Sequence, residues 1–281
     1  MEQKNRFLTA VTVLLVIAAI LFAGCTGTSA QNPAPSATEK TTTTLTVFTA
    51  ASLTGAFTDI AKAYETENQN VKIVTVFDGS QALRTQIELG AQPDVFVSAN
   101  TKHMNALKDE GYMDNSTVEL FLENSLAVIV PAENSAKLET LSDLKKSGIK
   151  IVMGTKDVPF GSYTRQILEK MANSSDYGQE YADAVYANVV SEETSVATVV
   201  PKLLLGEADA AFVYKSDVSK DYGDKITQMA IPKEFNVIAK YPLGILAGSG
   251  QKTQAADFIK YVCGSTGSEI LKSYGFDPIS G

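Results

Sequence analysis

Four short segments carry residues suited to holding a small anion: Ala50-Ala51-Ser52-Leu53, Asp78-Gly79-Ser80-Gln81, Val158-Pro159-Phe160-Gly161 and Glu193-Thr194-Ser195-Val196. Each stands where a β-rich run should hand over to a helix. A helix start bears unpaired N–H groups and a partial positive charge, so it can bind an oxyanion without Lys or Arg. Four such starts converging on one cleft would hold a small oxyanion. Ser52 and Ser80 add hydroxyl groups. Read alone they are N-cap residues, a role that uses the same N–H groups.

Other chemistry is poorly supplied. His103, the single histidine, sits in Lys102-His103-Met104-Asn105, which reads as an exposed helix start without partner ligands for a metal. Glu192-Glu193 has the look of a catalytic carboxylate pair, but acids just before a helix start are more simply dipole partners. Cys263 lies in an apolar helical stretch and reads as a buried, inert thiol with no disulfide partner once Cys25 is committed elsewhere. No Ser-His-Asp or Cys-His constellation and no glycine-rich nucleotide loop is present in the sequence. The expectation is a binding protein, not an enzyme, with no cofactor and no metal ligated directly by side chains.

The elements that must position these segments are alternating. Leu45–Phe48, Val71–Phe77 and Asp94–Val97 read as strands, followed by helices through Ala61–Tyr64, Ala82–Leu89 and Met104–Asp109. After an apolar strand, Ser125–Pro131, the pattern restarts: strands Ile149–Val152, Ala184–Val190 and Ala210–Tyr214 alternate with helices Tyr163–Ala172 and Ala197–Leu205. A strand over Tyr241–Leu246 precedes closing helices at Thr253–Val262 and Glu269–Tyr274. This order implies α/β architecture with mainly parallel sheets flanked by helices.

Ahead of the body, Lys4 and Arg6 precede an apolar run, Phe7 to Gly24, ending at Cys25. This is the pattern of an export signal, residues 1–24, or of a membrane anchor. Ala23-Gly24 before Cys25 resembles a lipobox, which implies lipidation of Cys25. Residues 25–44, nearly all Thr, Ser, Ala, Pro, Gly, Gln and Asn, read as a flexible tether. The chain carries a formal charge of −8, and its leader is net positive by one. An acidic body argues against nucleic acid as partner, and any affinity for an anion must then arise from local dipoles.

Several segments together resemble the molybdate-binding protein of the molybdate ABC transporter: Thr46–Thr54, Ser80 with Gln86–Ala99, Val158–Tyr163, Gly206–Tyr214 and Tyr274–Phe276. The resemblance runs in register over Leu45 to Phe276. It implies a two-lobed, periplasmic-binding-protein-like fold of class II with two crossover strands. Lobe I would comprise residues 45–124 and 243–281, and lobe II residues 125–242. The implied function is capture of molybdate, and tungstate with it, between the lobes and delivery to an ABC permease and ATPase complex. The implied protein is a monomeric lipoprotein on the outer face of the cytoplasmic membrane. Implied ligand donors are the hydroxyls and N–H groups of Ser52 and Ser80, the N–H groups of Phe160 and Val196, and the phenol of Tyr214. Family members tend to carry a small residue such as Ala at the position of Phe160, whose ring would narrow or shield the pocket mouth. No carboxylate-bearing segment stands at Val158–Tyr163, so a four-coordinate anion is expected. The competing readings are a receptor for sulfate or phosphate, with Asp78 as the acceptor a protonated anion requires, an enzyme on the same fold, and a tethered adhesin with a vestigial pocket.

Overall fold

The computed structural model describes residues 42–218 and 222–279. The expected leader, Cys25 and nearly all of the tether lie outside the described residues. The chain divides between Glu39 and Lys40, and the fold is that of the unit from Lys40 onward. No helix among the described residues is long and apolar enough to cross a membrane.

The first sheet is built from β-branched and aromatic runs. They form β1 (Thr43–Ala50), β2 (Val71–Asp78), β3 (Val95–Val97) and β4 (Glu119–Asn124), joined late in the chain by β10 (Ala239–Ile245) and β11 (Asp277–Pro278). Its order is β11-β4-β10-β3-β1-β2. The second sheet comprises β5 (Leu126–Pro131), β6 (Ile151–Gly154), β7 (Val189–Glu193), β8 (Ala210–Tyr214) and β9 (Ile226–Ala230), in the order β7-β6-β8-β5-β9. Helices cover both sheets: α1 (Thr54–Glu67), α2 (Ser80–Glu88) and α3 (Thr101–Asp109), then α4 (Pro159–Ala172), α5 (Gln179–Ala187) and α6 (Val199–Leu204), then α7 (Lys252–Cys263) and α8 (Ser265–Ser273). Periodicity explains their docking. In α1 the buried face is Ala56, Phe57, Ile60, Ala61 and Tyr64, and in α7 it is Ala255, Phe258, Ile259 and Val262. Alternation does the same for β1, where Val47 joins the larger core and Phe48 packs on the opposite face with Leu83, Met104 and Leu107.

The structure is the expected two-lobed α/β fold with helix-flanked sheets, and it corrects several details. The sheets are mixed. Only β1 with β2 and β3, and β6 with β7 and β8, pair in parallel, whereas β10, β4, β11, β5 and β9 add antiparallel. The reason is connectivity: β4 runs through Ser125 straight into β5 of the other sheet, and β10 returns beside β4 in the opposite direction. β1 begins at Thr43, two residues inside the expected tether, because Thr43 and Thr44 pair with Val71 and Lys72. Ala184–Ala187 is helical, and the strand begins only at Val189. There Tyr181, Ala182 and Val185 supply a helical buried face that outweighs the β-prone residues Val185 and Tyr186. The strands β4, β9 and β11 went unread in the sequence.

The parallel part of each sheet is what positions the site. After β1, β2, β6 and β7 the chain turns at the carboxyl end of the strand into the next helical segment, so the helix starts of both lobes face one cleft. The two crossings are tied together. Asn236 accepts a hydrogen bond from the Leu126 N–H at 3.2 Å and donates to the Leu126 carbonyl at 2.9 Å.

Candidate functional site

All five expected ligand residues line one cleft. Ser52, Ser80, Phe160, Val196 and Tyr214 surround it together with Ala51, Gly79, Ala99, Pro159, Thr194 and Ser195, and no charged side chain is among the lining residues. The cavity is about 20 Å³. This is little more than the roughly 10–15 Å³ that one water needs, and far too small for a sugar or an amino acid.

Four helix starts border the cleft. The segments beginning at Ala51, Ser80, Pro159 and Val196 have Ala50, Gly79, Val158 and Ser195 as N-caps, and none of these makes a side-chain cap. Their N–H groups are therefore left for a ligand. Side-chain caps occur at α3, where Asn100 accepts from the His103 N–H, and at Leu141–Lys145, where Thr140 forms a capping box with Asp143, whereas α1, α5, α6, α7 and α8 also start without one. Neither site serine is a cap in the structure. Ser80 is the first helical residue, and its Oγ accepts the Ala99 N–H at 2.9 Å, which leaves its hydroxyl hydrogen to donate into the cleft. Ser52 Oγ lies 3.0 Å from the Tyr241 hydroxyl, which also interacts with Asn124.

α4 is brought close by an absence of side chains. A Cβ on Gly161 would lie 2.0 Å from the Thr155 carbonyl oxygen, so only glycine lets the helix start rest on the end of β6. Pro159 at the first helical position lacks an N–H, which makes Phe160 the first donor of α4. The Phe160 ring is only 2% exposed and packs on Tyr214 with centroids 6.4 Å apart. It belongs to the cleft wall and core. From it an aromatic series continues through Tyr214 and Tyr241 to Phe276, crossing from the second sheet to the first.

Tyr214 is 1% exposed. Its hydroxyl makes no hydrogen bond of ordinary geometry within the protein, Tyr241 being the neighbouring phenol with which it interacts. Burial, with the Tyr241 hydroxyl beside it, holds the Tyr214 phenol well above its usual value, so it is a proton donor at any physiological pH. The Tyr214 N–H donates to Asp217, whose carboxyl burial pushes up to about 7.

Five other residues resolve. Asp78 accepts the N–H of its neighbour Gly79 at 2.7 Å and does not line the cleft. Glu192 and Glu193 pair with Arg165 and Lys202, so these ion pairs, not helix dipoles, account for them. Cys263 is half-buried, not fully buried, and burial together with Glu119 pushes its thiol up to about 12, far from reactive thiolate. His103 is 3% exposed, not an exposed helix start, because its ring is covered from the other lobe. The described residues contain no cluster of His, Cys, Asp or Glu able to hold a metal ion.

Sequence reasoning missed the contacts that join the lobes across the cleft mouth. Gln81 Nε2 donates to the Thr194 carbonyl at 2.8 Å, Tyr163 Oη to the Ala99 carbonyl at 3.4 Å, and His103 Nε2 to the Asp157 carbonyl at 3.0 Å. No local pattern signals any of them.

Comparison with known proteins agrees with this geometry. Residues 45–277 match the family described as bacterial extracellular solute-binding protein. The molybdate-binding protein ModA of Mycobacterium tuberculosis is 32% identical over 263 residues, covering 93% of this chain and 95% of that protein. ModA of Escherichia coli is 32% identical, with 83% and 88% covered. The solved periplasmic molybdate-binding protein of Azotobacter vinelandii superposes with a TM-score of 0.71 at 21% identity over 83% of this chain and 98% of that one, a likeness of fold.

Proposed function

Since the chain belongs to the bacterial extracellular solute-binding proteins, and within them to the family of the molybdate-binding protein ModA, we propose that it captures molybdate, and tungstate equally, between its lobes and hands it to an ABC permease and its ATPase. The protein is a non-catalytic solute receptor. The observation that carries the ligand class is the cleft itself: a cavity of about 20 Å³ with no charged side chain, faced by uncapped helix starts.

Molybdate at neutral pH is an unprotonated tetrahedral dianion, so every oxygen accepts and none donates. Neutral N–H and O–H groups suit it, since each forms a charge-assisted hydrogen bond and no acceptor repels it. In this reading Ser52 and Ser80 donate through hydroxyl and N–H, Phe160 and Val196 through N–H, and Tyr214 through its phenol. Asp78, the acceptor a protonated phosphate would require, is turned to its own backbone. In this reading lobe I takes residues 43–124 and 239–279, so that β1 and β10 are kept whole where the bounds 45 and 243 were expected, and lobe II takes residues 125–238, hinging where Asn236 ties the crossings. Lipidation at Cys25 would hold the monomer at the outer face of the membrane, although that part of the chain lies outside the described residues.

Isothermal titration of the purified body with molybdate, tungstate, sulfate and phosphate tests the reading. Tight and similar binding of the first two with weak binding of the others is expected. Sulfate bound within a factor of a few of molybdate would make the protein a general oxyanion receptor.

A further inference from the structure

The single histidine has no part in the anion site, yet it is placed where closure must occur. His103 lies on α3 of the first lobe, and Asp157 lies in the loop before α4 of the second. A carbonyl oxygen only accepts, so the 3.0 Å contact between them requires a hydrogen on His103 Nε2. In the neutral ring the other nitrogen, Nδ1, is then bare. It is buried and has no hydrogen-bond partner.

Resting on the reading above, that the lobes close over an oxyanion, we propose that His103 is a proton-sensitive clasp: its neutral imidazole fastens the closed lobes at Asp157, and protonation of Nδ1 releases them. A second proton would place an N–H and a full charge on a buried atom that has no acceptor within hydrogen-bond reach. The charged groups acting on the ring are Arg84 from α2, Lys102 from α3 itself and Asp157 across the cleft. Arg84 is paired with Glu88, and β10, also packed against α3, adds no charge that acts on the ring. Burial is the largest influence and, with the Arg84 and Lys102 charges, outweighs the Asp157 contacts, taking the imidazole from 6.5 down to about 4.

The sign follows from linkage. The closed form has the lowered value, so it is fully favoured only above the ordinary histidine range and loses ground as pH falls from about 6.5 toward 4. With those two values, affinity for the anion should fall about fourfold at pH 6 and about thirtyfold at pH 5, relative to pH 8.

The test is titration of wild type and His103→Gln with molybdate, tungstate, sulfate and phosphate at pH 8, 6 and 5. Glutamine can still donate to the Asp157 carbonyl but does not titrate. His103→Gln should bind within a few-fold of wild type at pH 8 and lose most of the slope. Whatever slope remains belongs to protonation of the anion or of Asp217, so the difference between the two proteins is the readout. As the only histidine in the chain, His103 can also be followed by imidazole NMR in wild type, which covers the case of a variant that folds poorly. Its pKa should be near 6.5 without anion and below about 5 with it. Equal slopes in the two proteins, or the same imidazole pKa with and without anion, overturn the clasp. Preference for sulfate or phosphate overturns the molybdate reading alone, since the clasp is then read with that anion. Binding of none overturns both.

Discussion

On the proposed reading the two serines of the cleft would donate for different structural reasons, and their variants should fail differently. Ser80→Ala removes a hydroxyl whose oxygen already holds the Ala99 N–H, so it both deletes a donor and orphans a backbone group. Loss of one hydrogen bond to a charged ligand is worth about 1.5–3 kcal/mol, which predicts molybdate binding weakened roughly tenfold to hundredfold by titration calorimetry. Ser52 sits at the end of a chain from Asn124 through Tyr241. Tyr241→Phe, which removes the hydroxyl orienting Ser52 without touching the ligand, should weaken binding less than Ser52→Ala does; an equal or greater loss would place Tyr241 in the site. Phe160→Ala has its effect elsewhere. Its N–H survives, but a ring 2% exposed is lost, so thermal or denaturant unfolding should register about 3–5 kcal/mol of destabilisation. Affinity would fall only as far as Tyr214, packed on that ring, drifts.

Among the elements, α4 is the one most tightly specified. Its start rests on β6 through Gly154 and Gly161, and the Cβ of Gly161→Ala would meet the backbone of Thr155 and Gly154. Backbone cannot swing aside as a side chain can. The substitution should destabilise the protein by about 1–3 kcal/mol and displace the Phe160 donor, which chemical denaturation and anion titration would register together. Junctions of this kind were legible in the sequence because strand, small polar residues and helix follow one another within a few positions. The donor roles and Tyr214, at the end of a strand, came only from the resemblance, while that local logic marked the four segments holding Ser52, Ser80, Phe160 and Val196. It failed for α5, where β-prone Val185 and Tyr186 sit inside a helix, and for β4, β9 and β11, which owe their pairing to strands far along the chain. It failed also for Gln81 with Thr194 and for His103 with Asp157, since contacts 113 and 54 residues apart leave no mark on either neighbourhood.

At the scale of the whole molecule, the proposed capture requires closure, and Gly79 is where closure can be blocked. A Cβ there would come within 2.5 Å of the Thr194 carbonyl oxygen in the opposite lobe. The Gly79 backbone, with φ of −58°, is one that alanine adopts freely. Gly79→Ala should therefore leave the stability of the anion-free protein unchanged while weakening anion binding tenfold or more, because each 1.4 kcal/mol of strain in the closed form is about a factor of ten. Unchanged affinity would mean that binding does not bring the lobes together at this point. Size selection acts at the same scale. Sulfate has the charge and shape of molybdate but shorter bonds, so donors fixed on both lobes cannot all reach its oxygens, and losing two of them would cost about 3–6 kcal/mol. Thermal protection should accordingly be similar for molybdate and tungstate, about 2.7 kcal/mol at one hundred times the dissociation constant, and much smaller for sulfate at the same concentration. The uncapped helix starts also decide how the receptor can vary by mutation. A main-chain N–H is common to nineteen of the twenty residues, so in a library of random substitutions outright loss of capture should concentrate at glycines and at replacements by proline. Polar positions in the cleft would mostly yield graded affinities, and a lineage could drift from one oxyanion to another through intermediates that still bind both.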